Sequence, residues 1–315
     1  MAANRSHMPT AAWVMLALTA ASVEPILIKL GFQAQATPLQ LLVFKNLVAA
    51  FVMLILVRGW KRPEQAKFSS IATVSLLLFA TNAFCLFALT KLSAVELITI
   101  ITSTPAVVAL VNCFRRHDRR GAWFWHGLLA SLAGVAISLQ INFLPANVLP
   151  GSSAISILGV ILALAAVLSS TVYRIKIESI LRQADPRVVS LNIFVINGLI
   201  SLLLTPWLGT VSLSVIPFVL WMGVAGALAN LAFIAAIKAL GATRMSIINL
   251  IQRPVVVLIA ALVLKEALGW PQVLGFVLVM LGVQMAQVKP KQKLEQPDAA
   301  PITQPSKDLC GSSRS

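Results

Sequence analysis

Apolar residues run along this chain in blocks of about twenty, each closed off by glycine, proline or charge. The blocks cover approximately residues 11–32, 37–58, 69–90, 93–114, 121–140, 153–174, 187–208, 214–238, 242–264 and 269–288. About twenty residues at 1.5 Å each match a hydrocarbon core of ~30 Å. Backbone in lipid must satisfy its own hydrogen bonds, so each block is expected to be a helix. The pattern predicts an all-α membrane protein with ten transmembrane helices. The first block runs well past the small residues Ala17–Ala21, so it reads as a span rather than a cleaved leader. Residues 1–10 form a polar head, and residues 289–315, rich in Pro, Ser, Lys and Gln, are expected to be a disordered tail.

The blocks are not independent. Displaced by 148 residues, Leu92, Ala94, Val107, Val108, Leu110, Gly127, Gly134 and Val135 fall on Leu240, Ala242, Val255, Val256, Leu258, Gly275, Gly282 and Val283. The mid-block prolines Pro105 and Pro254 recur one residue out of step, and Asp118 falls on Glu266. The chain therefore reads as a duplication: a first five-helix repeat over 11–140, a linker over 141–152 and a second repeat over 153–288. Five is odd, so the second repeat must enter the membrane upside down. The expected architecture is ten transmembrane helices as two inverted five-helix repeats.

Composition agrees with the pattern, and charge orients it. Only 11% of residues are charged, against about 25% in a soluble domain. The formal charge of +15 raises nucleic acid as a partner. Its distribution argues for membrane orientation instead, because twenty of the 25 Lys and Arg fall in alternate loops and the termini. Loops 141–152 and 209–213 hold none. Both termini are expected in the cytoplasm of a multi-pass protein of the cell (inner) membrane, with the linker outside. Cys85, Cys113 and Cys310 have no metal or redox spacing. No HExxH, phosphate-binding loop or acidic metal cluster is present. No catalytic group, metal or cofactor is expected, and the chain is not read as an enzyme.

Val263–Gly269 (VLKEALG), the following GFVLVMLG, and Lys91–Ala94 (KLSA) beside Ala239–Ala242 (ALGA) at the entrances to the fourth and ninth spans carry a resemblance. Together with the duplicated mid-span proline, they resemble the drug/metabolite transporter superfamily, in its EamA-type ten-helix form, over roughly residues 11–288. The resemblance implies solute transport by alternating access, with export of small metabolites, amino acids or drugs. The superfamily commonly has an arginine in its second helix where this chain has Lys45. The first span, AAWVMLALTAASVEPILIKLGF, is similar to the first helix of small multidrug resistance proteins, where a glutamate couples protons to export. Here Glu24 lies about one turn closer to the lysine than in that pattern.

Charges inside spans single out the candidate site, since each costs about 2.5–3.5 kcal/mol at the bilayer centre. Glu24 and Lys45 each lie about eight residues from the outer ends of their spans, and Arg253 lies slightly deeper. Three charges near one level, drawn from both halves, suit substrate binding or proton coupling; a structural ion pair of Glu24 with Lys45 or Arg253 is the alternative. Expected cavity-lining residues are Asn82 and Asn230 at the 148-residue offset, Thr102 and Pro105, and Asn249, Gln252 and Pro254. Pro25, Pro105 and Pro254 each free a backbone carbonyl within a span. Lys29 is expected to snorkel to the interface. The Gly127/Gly134 and Gly275/Gly282 faces are expected to pack helices or to form a homodimer contact, and the tryptophans near span ends form an aromatic belt.

The reading is a secondary transporter exporting a small solute, with Glu24 as a proton site. Its partners would be the small-molecule solute and membrane lipid, and no nucleic acid. The competing reading is a lipid-handling flippase or a membrane scaffold without transport.

Overall fold

The computed structural model describes residues 9–58, 67–116, 122–139, 156–241, 245, 248–249, 253–254, 256–259, 262–263 and 269–287. Most of the head, the linker 141–152, the tail 289–315 and the candidate Gln252 lie outside these residues. Among the described residues every regular element is helical: α1 (Thr10–Gln33), α2 (Pro38–Val57), α3 (Phe68–Leu89), α4 (Ala94–Thr102), α5 (Thr104–Arg116), α6 (Ala122–Ser138), α7 (Ile157–Leu181), α8 (Pro186–Leu203), α9 (Ile216–Leu240) and α10 (Trp270–Gln287). Seven helical stretches are long and apolar enough to cross a membrane, and two more, Ala122–Ser138 and Trp270–Ala286, are shorter apolar helices. Helices α4 and α5 share the fourth predicted span. The described positions of the predicted 242–264 span are helical.

Helix starts repeat along the chain. Thr10 and Ile157 are 147 residues apart; Pro38 and Pro186, Phe68 and Ile216, and Ala122 and Trp270 are each 148 apart. Helices α2 and α8 open in the same way, with proline where no N–H is needed and a cap in front of it. Thr37 closes a capping box with Gln40, and the Asp185 carboxylate accepts from the Arg187 N–H at 2.8 Å. Helix α9 stops at Gly241, whose φ of +82° suits glycine.

Packing joins the two halves. The most extensive contacts are α6 with α10, α1 with α9, α3 with α7 and α2 with α8. Exchanging the halves maps this set onto itself. The tightest seam is α6 on α10. A Cβ on Gly134 would stand 2.6 Å from the Gly275 carbonyl oxygen, and one on Gly275 would stand 2.4 Å from that of Gly134. Gly127 and Gly282 face each other in the same reciprocal way at 2.6 and 2.5 Å. The lower-numbered glycine of α6 meets the higher-numbered glycine of α10, so the two helices run in opposite directions. These glycine faces are occupied within the chain and are not a surface for a second copy. Many large apolar side chains point outward instead, among them Phe51, Phe114, Leu168 and Leu262. So do Trp123, Trp207, Trp221 and Trp270, near helix ends.

Two spans depart from expectation. The sixth, predicted to end at Arg174, continues as α7 to Leu181. Beyond Arg174 the buried Ile177, Ile180 and Leu181 keep the helical period, so the helix outlasts the uninterrupted apolar run. The fourth span is interrupted at Ser103, between α4 and α5. Pro105 has no N–H to give the Ile101 carbonyl four residues back. The Thr104 hydroxyl donates to that carbonyl at 2.6 Å, and the Ser103 hydroxyl donates to the Ile100 carbonyl at 2.6 Å.

Candidate functional site

Helices α1, α3, α4, α7 and α9 surround a cavity of about 270 Å³, which Asn249 and Arg253 also line. Along α1 its wall runs from Ala17 to Ile28, about 16 Å at 1.5 Å per residue. Every one of these helices is mostly apolar, so the polar wall residues stand out: Glu24, Asn82, Tyr173, Arg174, Asn230 and Arg253.

Glu24 faces the cavity and forms an ion pair with Lys45 behind it. Lys45 is only 3% exposed, against 23% for Glu24. Its stem passes beneath Gly226 of α9, where a Cβ would lie 3.3 Å from Lys45 Cε. Glycine at that position gives the lysine room to reach the carboxylate from α2. Pro25, the next residue, also lines the cavity, as does Ala21, whose carbonyl loses its helical donor to the proline.

A second polar group links the eighth span to the sixth and seventh. The Asn230 amide donates to the Tyr173 hydroxyl at 3.3 Å, and the Ser190 hydroxyl donates to the Asn230 amide oxygen at 3.4 Å. Arg174, one residue beyond Tyr173, lies over the Phe233 ring with its guanidinium carbon 5.0 Å from the centroid, a cation–π contact. Its Nε is 3.5 Å from the Ser170 hydroxyl. Arg174, Arg253 and Cys85 line the same cavity as Glu24.

Of the residues singled out from the sequence, Glu24, Asn82, Asn230, Asn249 and Arg253 line one cavity. Lys45 reaches it through Glu24. Thr102, Pro105 and Pro254 are not among its lining. Thr102 is buried and its hydroxyl donates to the Ile98 carbonyl at 2.6 Å, so the polar cluster before Pro105 serves its own backbone rather than the cavity. Lys29 donates to the Leu92 carbonyl at 3.2 Å, holding α1 to the α3–α4 turn. Glu96 closes a capping box with Ser93 at the start of α4. Arg174 and Tyr173 escape a reading by apolar blocks, in which Arg174 counts as a loop cation. The helical period of the isoleucines that follow it is the signal that places it inside a span.

A model of the EamA-like transporter family matches residues 8–140 and 157–286. A crystal structure 17% identical to this chain aligns with a TM-score of 0.59, over 87% of this chain and 98% of its own, a likeness of fold. No curated protein matches. The chain belongs to the EamA-like transporter family and is a multi-pass integral membrane protein.

Proposed function

For this member of the EamA-like transporter family we propose a secondary transporter that exports a small solute by alternating access, with Glu24 as its proton site. The observation that carries the reading is one cavity walled by helices of both halves, with a carboxylate and other polar groups set on a mostly apolar wall. Such a cavity between repeats is where a transporter of this architecture binds substrate. The antiparallel run of α6 and α10, which begin 148 residues apart, supports halves that are inverted copies, with ten spans in all. Alternating access then follows as rocking of one half against the other around the cavity. The excess of Lys and Arg in alternate loops supports an orientation with both termini in the cytoplasm, in the inner membrane.

Glu24 suits proton coupling because two demands meet on it. Its carboxylate holds Lys45 of α2, and it also borders the cavity, where a solute can reach it. A proton or a solute that enters the cavity competes with Lys45 for that carboxylate, and binding of one is thereby linked to the other. A lipid-handling role or a scaffold without transport would leave the cavity without solute flux.

The test is counterflow in proteoliposomes against labelled amino acids and small metabolites, with and without a pH gradient. Wild type, Glu24→Gln and the double variant Glu24→Gln/Lys45→Gln are compared. The double variant leaves no lone ion buried and so separates coupling from folding. Gradient-driven flux in wild type, with gradient-independent flux in the double variant, is the expected result. Flux that responds to the gradient in all three would remove Glu24 from the coupling step. Absence of flux for every solute in folded protein would sink the transport reading and favour lipid or scaffold roles.

A further inference from the structure

The cavity's charges do not cancel. Glu24 is committed to Lys45. Arg174 and Arg253 line the same wall, and among the described residues neither is ion-paired with a carboxylate. Arg174 stands over Phe233 and beside Ser170, partners that leave its charge uncompensated. Arg253 shares the cavity wall with the thiol of Cys85. The two guanidinium groups thus share the wall of one cavity of about 270 Å³.

Two cations in one membrane-embedded cavity repel one another more strongly than at a fully solvated surface. A charge within a membrane span is ordinarily paired with another group of opposite charge. Among the described residues the chain supplies only the donors here, which leaves the opposite charge to what occupies the cavity. Guanidinium suits that role, since its planar fork donates two parallel hydrogen bonds to a carboxylate or a phosphate. Farther along the cavity the wall is apolar, with Ile28, Leu89, Leu97 and Ile98. That surface offers nothing to a second charged group and suits a hydrocarbon or aromatic body.

We propose that the transported solute is a small amphipathic organic anion, its oxyanion group held between Arg174 and Arg253 and its apolar body against the Ile28–Leu89–Leu97–Ile98 wall. This inference rests on the transporter reading and narrows its substrate class. The same two arginines exclude organic cations from the cavity by direct repulsion. Glu24, neutralised by Lys45, does not offset that exclusion.

The test uses the full chain in lipid nanodiscs, with binding followed by calorimetry. Phenylacetate and phenyl phosphate are the anionic probes; phenylacetamide is the neutral twin and phenethylamine the cation. At least one anion is expected to bind tenfold or more tightly than the amide, and the stronger of the two identifies carboxylate or phosphate as the recognised group. Arg174→Gln and Arg253→Gln are each expected to weaken that anion tenfold or more, with Arg174→Lys intermediate. Phenethylamine binding as tightly as either anion, or anion affinity unchanged in both glutamine variants, would overturn the proposal. Thermal unfolding gives a second readout. Removing one of two repelling charges should leave ligand-free Arg253→Gln at least as stable as wild type while abolishing the rise in midpoint that the anion produces. A large fall in stability in both glutamine variants, with no anion-induced rise in wild type, points to purely structural arginines and overturns it as well. Counterflow separates the two levels. Anion binding without flux of any solute removes the transport reading and keeps the site; flux of a neutral or cationic solute without anion binding removes the anion site and keeps transport.

Discussion

Lys45 is almost fully buried and Glu24 is not, and that asymmetry predicts how their pair responds to mutation. Removing one member of a buried ion pair strands the other, at about 3–5 kcal/mol. Glu24→Ala strands the deeper charge and should fall at the upper end of that range. Lys45→Ala strands a carboxylate that borders the cavity and is only partly buried, so its loss should be smaller. The double alanine variant should be more stable than Glu24→Ala alone. Unfolding of the four proteins in mixed micelles gives the cycle; additive losses would show that the two charges do not interact. Glu24, Lys45 and Arg253 are legible in the sequence because a charge inside an apolar run has no other reason to be there. Asn82 and Asn230 are legible through the repeat. Arg174 is not, because the run of apolar residues stops at the first charge whereas the helix stops where its buried face ends.

The break between α4 and α5 shows the same limit for a whole element. Pro105 announces an interruption, and the interruption is there. The hydroxyls around it are expected from the sequence to face a cavity, yet they turn back to the carbonyls of their own helix. Spacing does not distinguish these outcomes, since Thr and Ser in a helix reach either their own backbone or a neighbour. The Thr104 hydroxyl thus serves the carbonyl that Pro105 leaves without a donor. Thr104→Val should cost about 1–3 kcal/mol, the penalty for an unsatisfied buried acceptor. Pro105→Ala restores the N–H, so adding it to Thr104→Val should recover most of that loss. Equal losses for Thr104→Val with and without Pro105→Ala, measured by thermal unfolding in nanodiscs, would assign the hydroxyl no such part.

At the scale of the whole molecule, the α6–α10 seam is the contact with least tolerance. Apolar side chains gain little from leaving lipid for protein, so close packing has to supply the association. Gly134→Leu places a side chain where the Gly275 carbonyl already is, and should destabilise the fold by about 1–3 kcal/mol or more through overpacking. Ala133→Leu, at the exposed neighbouring position, should be nearly silent; similar losses for the two variants in the unfolding assay would show that the seam is not special. None of the four seam glycines lines the cavity, so these variants test the frame separately from the site. The reciprocity of the seam reaches further. Gly127 meets Gly282 and Gly134 meets Gly275, which is the contact a single ancestral helix makes with a copy of itself across a two-fold axis. The other principal pairings also survive exchange of the halves. The chain is thus built like a symmetric dimer whose subunits have been joined end to end. Joining them released the halves from identity: one now carries the Glu24–Lys45 pair and the other both cavity arginines, a division of labour that no true homodimer can adopt.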